Sequence, residues 1–151
     1  MNKNILGTNL VVQVGLVVHD IDATARKYAD FLGQEVPPVI VTDIPEEART
    51  QYRGAPTPAR AKLAFFNVGP TLTLELIEPD HGPSTWREEL DKKGEGVHHL
   101  AFIVEGMGEK IAALETQGMA LLQKGEYKGG RYAYLDGSKD LKTIIELLEN
   151  D

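Results

Sequence analysis

Four polar residues stand out because each interrupts an otherwise mostly apolar row. Gln13 shares its strand face with Val11, Gly15 and Val17, and His99 shares its face with Val97, Ala101 and Ile103. Glu75 stands between Thr73 and Ile77, and Glu146 between Ile144 and Leu148, at the period of two that puts side chains on one face of a strand. A carboxylate on a buried face is costly unless it is paired or ligates a metal. Two such carboxylates converging repel each other, and one takes up a proton. A divalent cation relieves both problems. An amide oxygen, an imidazole nitrogen and two carboxylates suit a borderline-hard ion with about five or six ligands, water filling the rest. The alternative arrangement turns Glu75 and Glu146 to solvent and makes Leu72, Leu74, Leu76, Ile145 and Leu147 the core face.

The four residues lie far apart along the chain, and an internal repeat supplies a way to bring them together. Residues 12–18 (Val-Gln-Val-Gly-Leu-Val-Val) lie over residues 98–104 (His-His-Leu-Ala-Phe-Ile-Val). Residues 63–66 lie over 132–135, and residues 73–78 over 144–149. The overlays keep the same order. They pair Gln13 with His99, Glu75 with Glu146, and Glu78 with Glu149.

After a polar lead-in over residues 1–8, the β-branched run 9–20 reads as a strand. Asp22 can cap a helix over about 23–32, whose Ala25, Tyr28, Ala29 and Leu32 share one face and which stops at Gly33. Residues 35–42 resume as a strand broken by Pro37 and Pro38. Residues 43–60 read as a long loop over the active face. Strands follow at 61–68 and 71–78. Thr85 starts a connecting helix over about 85–93, with Glu88 as its capping-box partner and Trp86 and Leu90 packing one face. The second half then reads strand 96–104, helix about 108–117, strand 119–123, and a hairpin of 130–135 with 142–148. The expected fold is α+β: two tandem βαβββ modules, about 9–79 and about 96–149, forming a curled mixed sheet around a metal cleft. All of it fits one domain, 1–151.

Alternation sends His98 to the face opposite His99, and Glu78 and Glu149 to the outer surface. His19 and His81 read as solvated, and Trp86 as a packing anchor. The 151 residues include no cysteine, which excludes disulfides and thiolate sites. The net charge of -7 argues against nucleic acid as a partner. No basic leader with an apolar run opens the chain, and no apolar stretch approaches the ~20 residues that span a bilayer, so a cytoplasmic protein without membrane contact is expected.

The motifs resemble those of the vicinal oxygen chelate superfamily, which includes glyoxalase I, methylmalonyl-CoA epimerase, extradiol dioxygenases and the bleomycin- and fosfomycin-resistance proteins. The resemblance runs over about residues 10–149. Lys92-Lys93-Gly94-Glu95-Gly96-Val97-His98-His99-Leu100-Ala101-Phe102 is most similar to the epimerase branch; Leu74-Glu75-Leu76-Ile77-Glu78-Pro79 and Ile145-Glu146-Leu147-Leu148 match the superfamily more generally. It implies metal ligands at Gln13, Glu75, His99 and Glu146. That set is similar to the eukaryotic glyoxalase I type, whereas the epimerase has His where Gln13 stands and Gln where Glu75 stands. The epimerase also has a second, non-ligating Glu before its third strand; residues 55–60 here hold no carboxylate, and Glu46 and Glu47 lie upstream. The implied activity is a metal-dependent isomerase, epimerase or lyase. It would abstract a proton next to a carbonyl through a metal-stabilised enediolate, with Glu146 as base and Glu75 serving from the opposite side. The implied cofactor is one divalent ion, with Zn, Ni, Co, Mn and Fe all open. The implied substrate is an acyl thioester or hemithioacetal, and the implied assembly a homodimer. The alternatives are a non-catalytic drug- or metabolite-binding protein of the bleomycin-resistance type and an extradiol-type dioxygenase.

Overall fold

The structure, a computed structural model, describes residues 4–151. Along the chain run β1 (Gln13–Val17), α1 (Ile21–Leu32), β2 (Ile40–Val41), α2 (Pro45–Ala48), β3 (Gln51–Tyr52), β4 (Ala55–Pro56), β5 (Ala61–Asn67) and β6 (Thr73–Pro79). Then come α3 (Thr85–Lys93), β7 (Gly96–Ile103), α4 (Met107–Thr116), β8 (Leu121–Tyr127), β9 (Gly130–Leu135) and β10 (Ile144–Asn150). The strands form one mixed sheet in the order β2-β5-β6-β1-β7-β10-β9-β8-β3-β4. The α+β architecture of two βαβββ halves expected from the sequence is present.

The halves meet where β1 and β7 pair antiparallel, with Gln13 opposite Ala101, Val14 opposite Leu100 and Gly15 opposite His99. The sequence overlay equates Gln13 with His99 and Gly15 with Ala101, so exchanging the halves leaves this central pairing unchanged. The same holds outward. β6 runs parallel to β1 with Glu75 beside Gly15, and β10 runs parallel to β7 with Glu146 beside Ala101. Phe65 faces Glu75 across β5–β6, as Tyr134 faces Glu146 across β9–β10. The repeat read along the chain is thus a repeat of hydrogen-bond register.

Residues 42–50 dictate the curl. They join β2, at one end of the sheet, to β3, next to last at the other. In a flat sheet those strands would stand roughly 38 Å apart, at about 4.8 Å per strand. The joining segment contains the turn of α2 and reaches roughly 26 Å. The sheet closes on itself to meet that tether. The segment expected to be loop at 43–60 therefore carries α2 and the β3–β4 ribbon, and β3 pairs with β8 of the other half.

Helices α1 and α4 cover the outer face, over Ala64, Phe66 and Leu76 in one half and Ala133, Leu135, Ile145 and Leu147 in the other. On the inner side Trp86 and Leu90 of α3 pack with Val17, Ile77, Ile144 and Tyr134. Several boundaries shift for identifiable reasons. The first strand ends early because Asp20, not Asp22, caps α1, its side chain accepting from Ala23 N at 3.0 Å. The strand expected at 35–42 shrinks to β2, since Pro37 and Pro38 have no N–H to give a ladder. Ser84, not Thr85, caps α3, accepting from Arg87 N at 3.0 Å. Strand β8 runs on to Tyr127, past the expected turn. Of the polar lead-in, residues 1–3 lie outside the described residues and Asn4–Gly7 form a turn.

Glu78 and Glu149 are not free surface residues. Glu78 accepts from Ile21 N at 3.0 Å, and Glu149 accepts from Gly106 N at 2.7 Å and Met107 N at 3.1 Å. Each glutamate holds the N-terminus of its own half's helix, where unpaired N–H groups and the positive end of the helix dipole favour an anion. That shared task accounts for their alignment in the repeat. No helix among the described residues is long and apolar enough to cross a membrane.

The cap assignment is open to a stability test. Asp20→Ala should lower unfolding stability by about 1 kcal/mol in urea denaturation, and Asp22→Ala by clearly less. The reverse ranking would return the cap to Asp22.

Candidate metal centre

The four central strands β6, β1, β7 and β10 each contribute one polar side chain to the inner face: Glu75, Gln13, His99 and Glu146. They meet. His99 Nε2 lies 2.9 Å from Gln13 Oε1, 3.1 Å from Glu146 Oε1 and 3.4 Å from Glu75 Oε1. The same end of the Gln13 amide lies 3.0 Å from Glu146 Oε1 and 3.2 Å from Glu75 Oε1. All four sequence-derived candidates therefore share one site.

An amide oxygen facing two carboxylates and a ring nitrogen places acceptors against acceptors. Either protons or a cation must lie between them. Turned over, the amide NH2 has the His99 ring, Glu146 and Glu75 within reach of its two N–H groups; with the oxygen inward, a proton on His99 Nε2 or on Glu75, or a cation, stands between the acceptors. The spacings fit a cation. Ligands about 2.1 Å from an ion stand about 3.0 Å apart at right angles and about 3.4 Å apart at tetrahedral angles. Imidazole and carboxylate groups alone form no cluster of three set for a metal among the described residues. The set is complete only with the Gln13 amide, and its contacts with all three other donors are the reason to count it.

Both arrangements considered for the glutamates are half realised. Leu76, Ile145 and Leu147 do form the core face, yet Glu75 and Glu146 are buried as well, at 7% and 5% exposure. Burial, aided by the charge of Glu146 and opposed by His99, pushes Glu75 up to about 8. Burial works to lower His99, but the charge of Glu146, a hydrogen bond to it and the charge of Glu75 outweigh burial and raise it. The group holds protons avidly in place of positive charge.

His98 does not point away from His99. The register of β1 against β7 shifts after Gly15, which pairs with His99, while Leu16 pairs with Val97. His98 is the extra residue of a β-bulge, and a bulge re-aims the side chains it carries. His98 is buried, its Nδ1 is 2.8 Å from His99 Nδ1, and its ring meets Tyr134 edge-on with centroids 5.0 Å apart. His19 and His81 are exposed, as expected.

Gly15 is a requirement missed in reading the sequence. A Cβ there would stand 2.1 Å from His99 Cε1, so the imidazole occupies the space of the absent side chain. A glycine inside a strand was the available signal, since it marks a close approach.

The site forms the floor of a cleft of about 470 Å³ walled by Phe65, Trp86, Tyr132 and Tyr134. The tyrosines sit two apart on β9, a spacing legible in the sequence. Trp86 packs in the core as expected and also serves as cleft wall, its Nε1 donating to Tyr134 Oη at 3.0 Å. Asp43 stands at the lining from the segment expected to be loop at 43–60, Glu126 from the end of β8 and Lys128 from the turn after it. Of the arginines in residues 43–60, Arg53 pairs with Glu88 at 2.8 Å and Arg60 with the Thr42 carbonyl at 2.7 Å, whereas the exposed Arg49 stands 3.9 Å from Glu126 of the lining.

A model of the Glyoxalase/Bleomycin resistance protein/Dioxygenase superfamily matches residues 12–134. The chain is 32% identical over 93 residues to the uncharacterised protein YqjC of Bacillus subtilis (strain 168), covering 60% of this chain and 66% of that one. It is 27% identical over 116 residues to a 2-epi-5-epi-valiolone epimerase of an Actinomyces species, covering 76% of this chain and 62% of that one. The chain thus spans about two thirds or less of these relatives' lengths. Among solved structures, methylmalonyl-CoA epimerase from Mycobacterium tuberculosis superposes with a TM-score of 0.62 at 22% identity, over 100% of this chain and 93% of that one. A hypothetical protein, BH1468, from Bacillus halodurans C-125 superposes with a TM-score of 0.65 at 21% identity, over 94% of each chain. At these identities the likeness of the structures is one of fold.

Two outcomes follow from this geometry. Gly15→Ala should displace the His99 ring and lower affinity for divalent ions in a competition titration by at least about tenfold; unchanged affinity would mean the ring has room to move. In chelator, Glu75 keeps a proton in the folded state that the unfolded chain releases near 4.5. Its contribution should therefore make stability fall as pH rises from about 4.5 to about 8, and His99, raised from 6.5, adds a loss in the same direction. Glu75→Gln should flatten that slope in urea denaturation across the pH range; an unaltered slope would contradict the burial argument.

Proposed function

The chain belongs to the Glyoxalase/Bleomycin resistance protein/Dioxygenase superfamily, and on that premise we propose that it is a metal-dependent enzyme moving a proton on a carbon next to a carbonyl, as an epimerase or isomerase. The observation that carries this reading is the contact of the His99 ring and the Gln13 amide with each other and with the buried carboxylates of Glu75 and Glu146. The epimerase among the relatives supports it.

These four side chains would hold one divalent ion. A bound divalent ion supplies Lewis acidity toward a substrate carbonyl oxygen. The aromatic walls keep water from the floor and raise the strength of every charge interaction there. Glu146 removes the proton, and Glu75 serves from the opposite side of the central β1–β7 pair. A carboxylate on each side allows removal at one face of a substrate carbon and return at the other. Proton transfer by a positioned carboxylate contributes roughly 10²–10⁴-fold. Glu46 and Glu47, the upstream glutamates of the first loop, are exposed on α2 and take no part in the cleft lining.

The bulge counts against a dioxygenase of the two-histidine, one-carboxylate type. The Nδ1 of His98 meets His99 rather than the oxygens, which leaves one imidazole in the donor set. A non-catalytic binder has one observation in its favour: aromatic walls with Asp43 and Glu126 in the lining suit a flat cationic compound.

The test is α-proton exchange in D2O, followed by proton NMR with 2-substituted malonyl thioesters and with hemithioacetals of 2-oxoaldehydes. The protein is chelator-stripped and then reloaded with Zn, Ni, Co, Mn or Fe. Exchange should require metal, and Glu146→Gln should slow it by at least about 10²-fold. Absence of any bound divalent ion, or full exchange in Glu146→Gln, would overturn the reading. Tight binding of a cationic aromatic compound without exchange of any substrate would favour the binder.

A further inference from the structure

His98 has no part in the donor set, yet it is among the most buried polar residues of the chain, at 1% exposure beside His99 at 0%. Two facts about it need a cause. It occupies the bulge of β7, where Gly15 and Leu16 pair with His99 and Val97 and leave His98 without a partner in the ladder. Its Nε2 is buried without a hydrogen bond. The Thr85 backbone acts on the ring as a nearby acceptor, but the contact falls short of hydrogen-bond geometry. A buried unpaired N–H is costly and calls for an explanation.

The explanation lies in the other nitrogen. A neutral imidazole carries one N–H, on Nδ1 or on Nε2. His99 directs Nε2 at the oxygens of Gln13, Glu75 and Glu146. For that nitrogen to be a bare donor toward a cation, the proton must sit on Nδ1. The group facing Nδ1, at 2.8 Å, is Nδ1 of His98. Two ring nitrogens at that distance share one proton, so His98 must accept there and carry its own proton on the unpaired Nε2.

Resting on the metal reading of the four donors, we infer that His98 is a positioning residue: from the β7 bulge it accepts the Nδ1 proton of His99 and holds His99 in the tautomer that bares Nε2 toward the site. Ligating histidines commonly donate their second N–H to a carboxylate or a carbonyl. A carboxylate here would add a third negative charge beside two buried glutamates. A neutral imidazole accepts the proton without that charge. Tyr134 fixes it in place, edge-on to His98 at 5.0 Å and tilted against His99 at 5.1 Å between centroids.

Two polar substitutions separate this role from bulk packing. Asparagine puts a carbonyl oxygen where Nδ1 stands; glutamine puts its amide where Nε2 stands and leaves Nδ1 of His99 unanswered. In competition titrations with Co or Zn, H98N should bind within a fewfold of the unsubstituted protein, and H98Q should bind roughly 10–100-fold more weakly. Nitrogen-15 NMR of the zinc-loaded protein should find the His99 Nδ1 proton coupled across a hydrogen bond to Nδ1 of His98, with His98 itself protonated on Nε2. In H98Q the His99 Nδ1 proton should exchange faster with solvent than in H98N. Equal affinities and equal exchange rates in H98N and H98Q, or no coupling between the two Nδ1 atoms in the zinc-loaded protein, would overturn the inference. If no variant binds a divalent ion, the metal reading fails with the premise resting on it, whereas metal binding that ignores the asparagine–glutamine difference removes the His98 role alone.

Discussion

Two buried carboxylates gathered around an amide and a ring nitrogen cannot coexist without protons or positive charge among them. That constraint organises this protein. The sheet curls so that its four central strands aim inward at one point. The aromatic walls deepen the desolvation that makes the demand for charge acute, and it is this desolvation that holds Glu75 protonated to an unusually high pH. The tether over residues 42–50 is an ordinary connection by length, but by joining the two ends of the sheet it keeps the floor of the cleft from opening flat.

Duplication supplies the frame, and departures from duplication supply the chemistry. The register of the two halves is the same at the glutamates, at the residues facing them, and at the helix-capping Glu78 and Glu149. The halves differ where the imidazole sits. Gly15 stands where the other half has Ala101, because only one ring needs the space of a missing side chain. The bulge at His98 turns what alternation would make an outward histidine into a buried neighbour of the ligand candidate. A symmetric frame thus carries one asymmetric centre.

The superfamily joins a common frame to varied chemistry, and fold alone does not choose among its activities. The features that bear on activity in this chain are local: one imidazole rather than two at the site, glutamates on either side of it, and a cleft whose walls are Phe65, Trp86, Tyr132 and Tyr134. Two acidic side chains and one lysine border a largely apolar interior, and of the arginines nearby Arg53 and Arg60 are occupied in holding α3 and the first loop.

The sequence by itself determined the two-half architecture and the identities of Gln13, Glu75, His99 and Glu146. Period-two alternation and the repeat are properties of strand geometry, and hydrogen-bond register preserves them wherever the strands go. Tertiary structure decided what alternation cannot express. A bulge depends on how two strands twist against each other, so the place of His98 beside His99 was invisible along the chain. Asp20 displaced Asp22 as a cap because the cap falls where the backbone turns, two residues before the position that side-chain type suggested. Glu78 and Glu149 read as surface because the helix ends they hold lie far away in sequence. The closeness of the four side chains, and with it the demand for protons or a cation among them, exists only once the sheet has curled, since the desolvation that creates the demand belongs to the cleft and to no single residue.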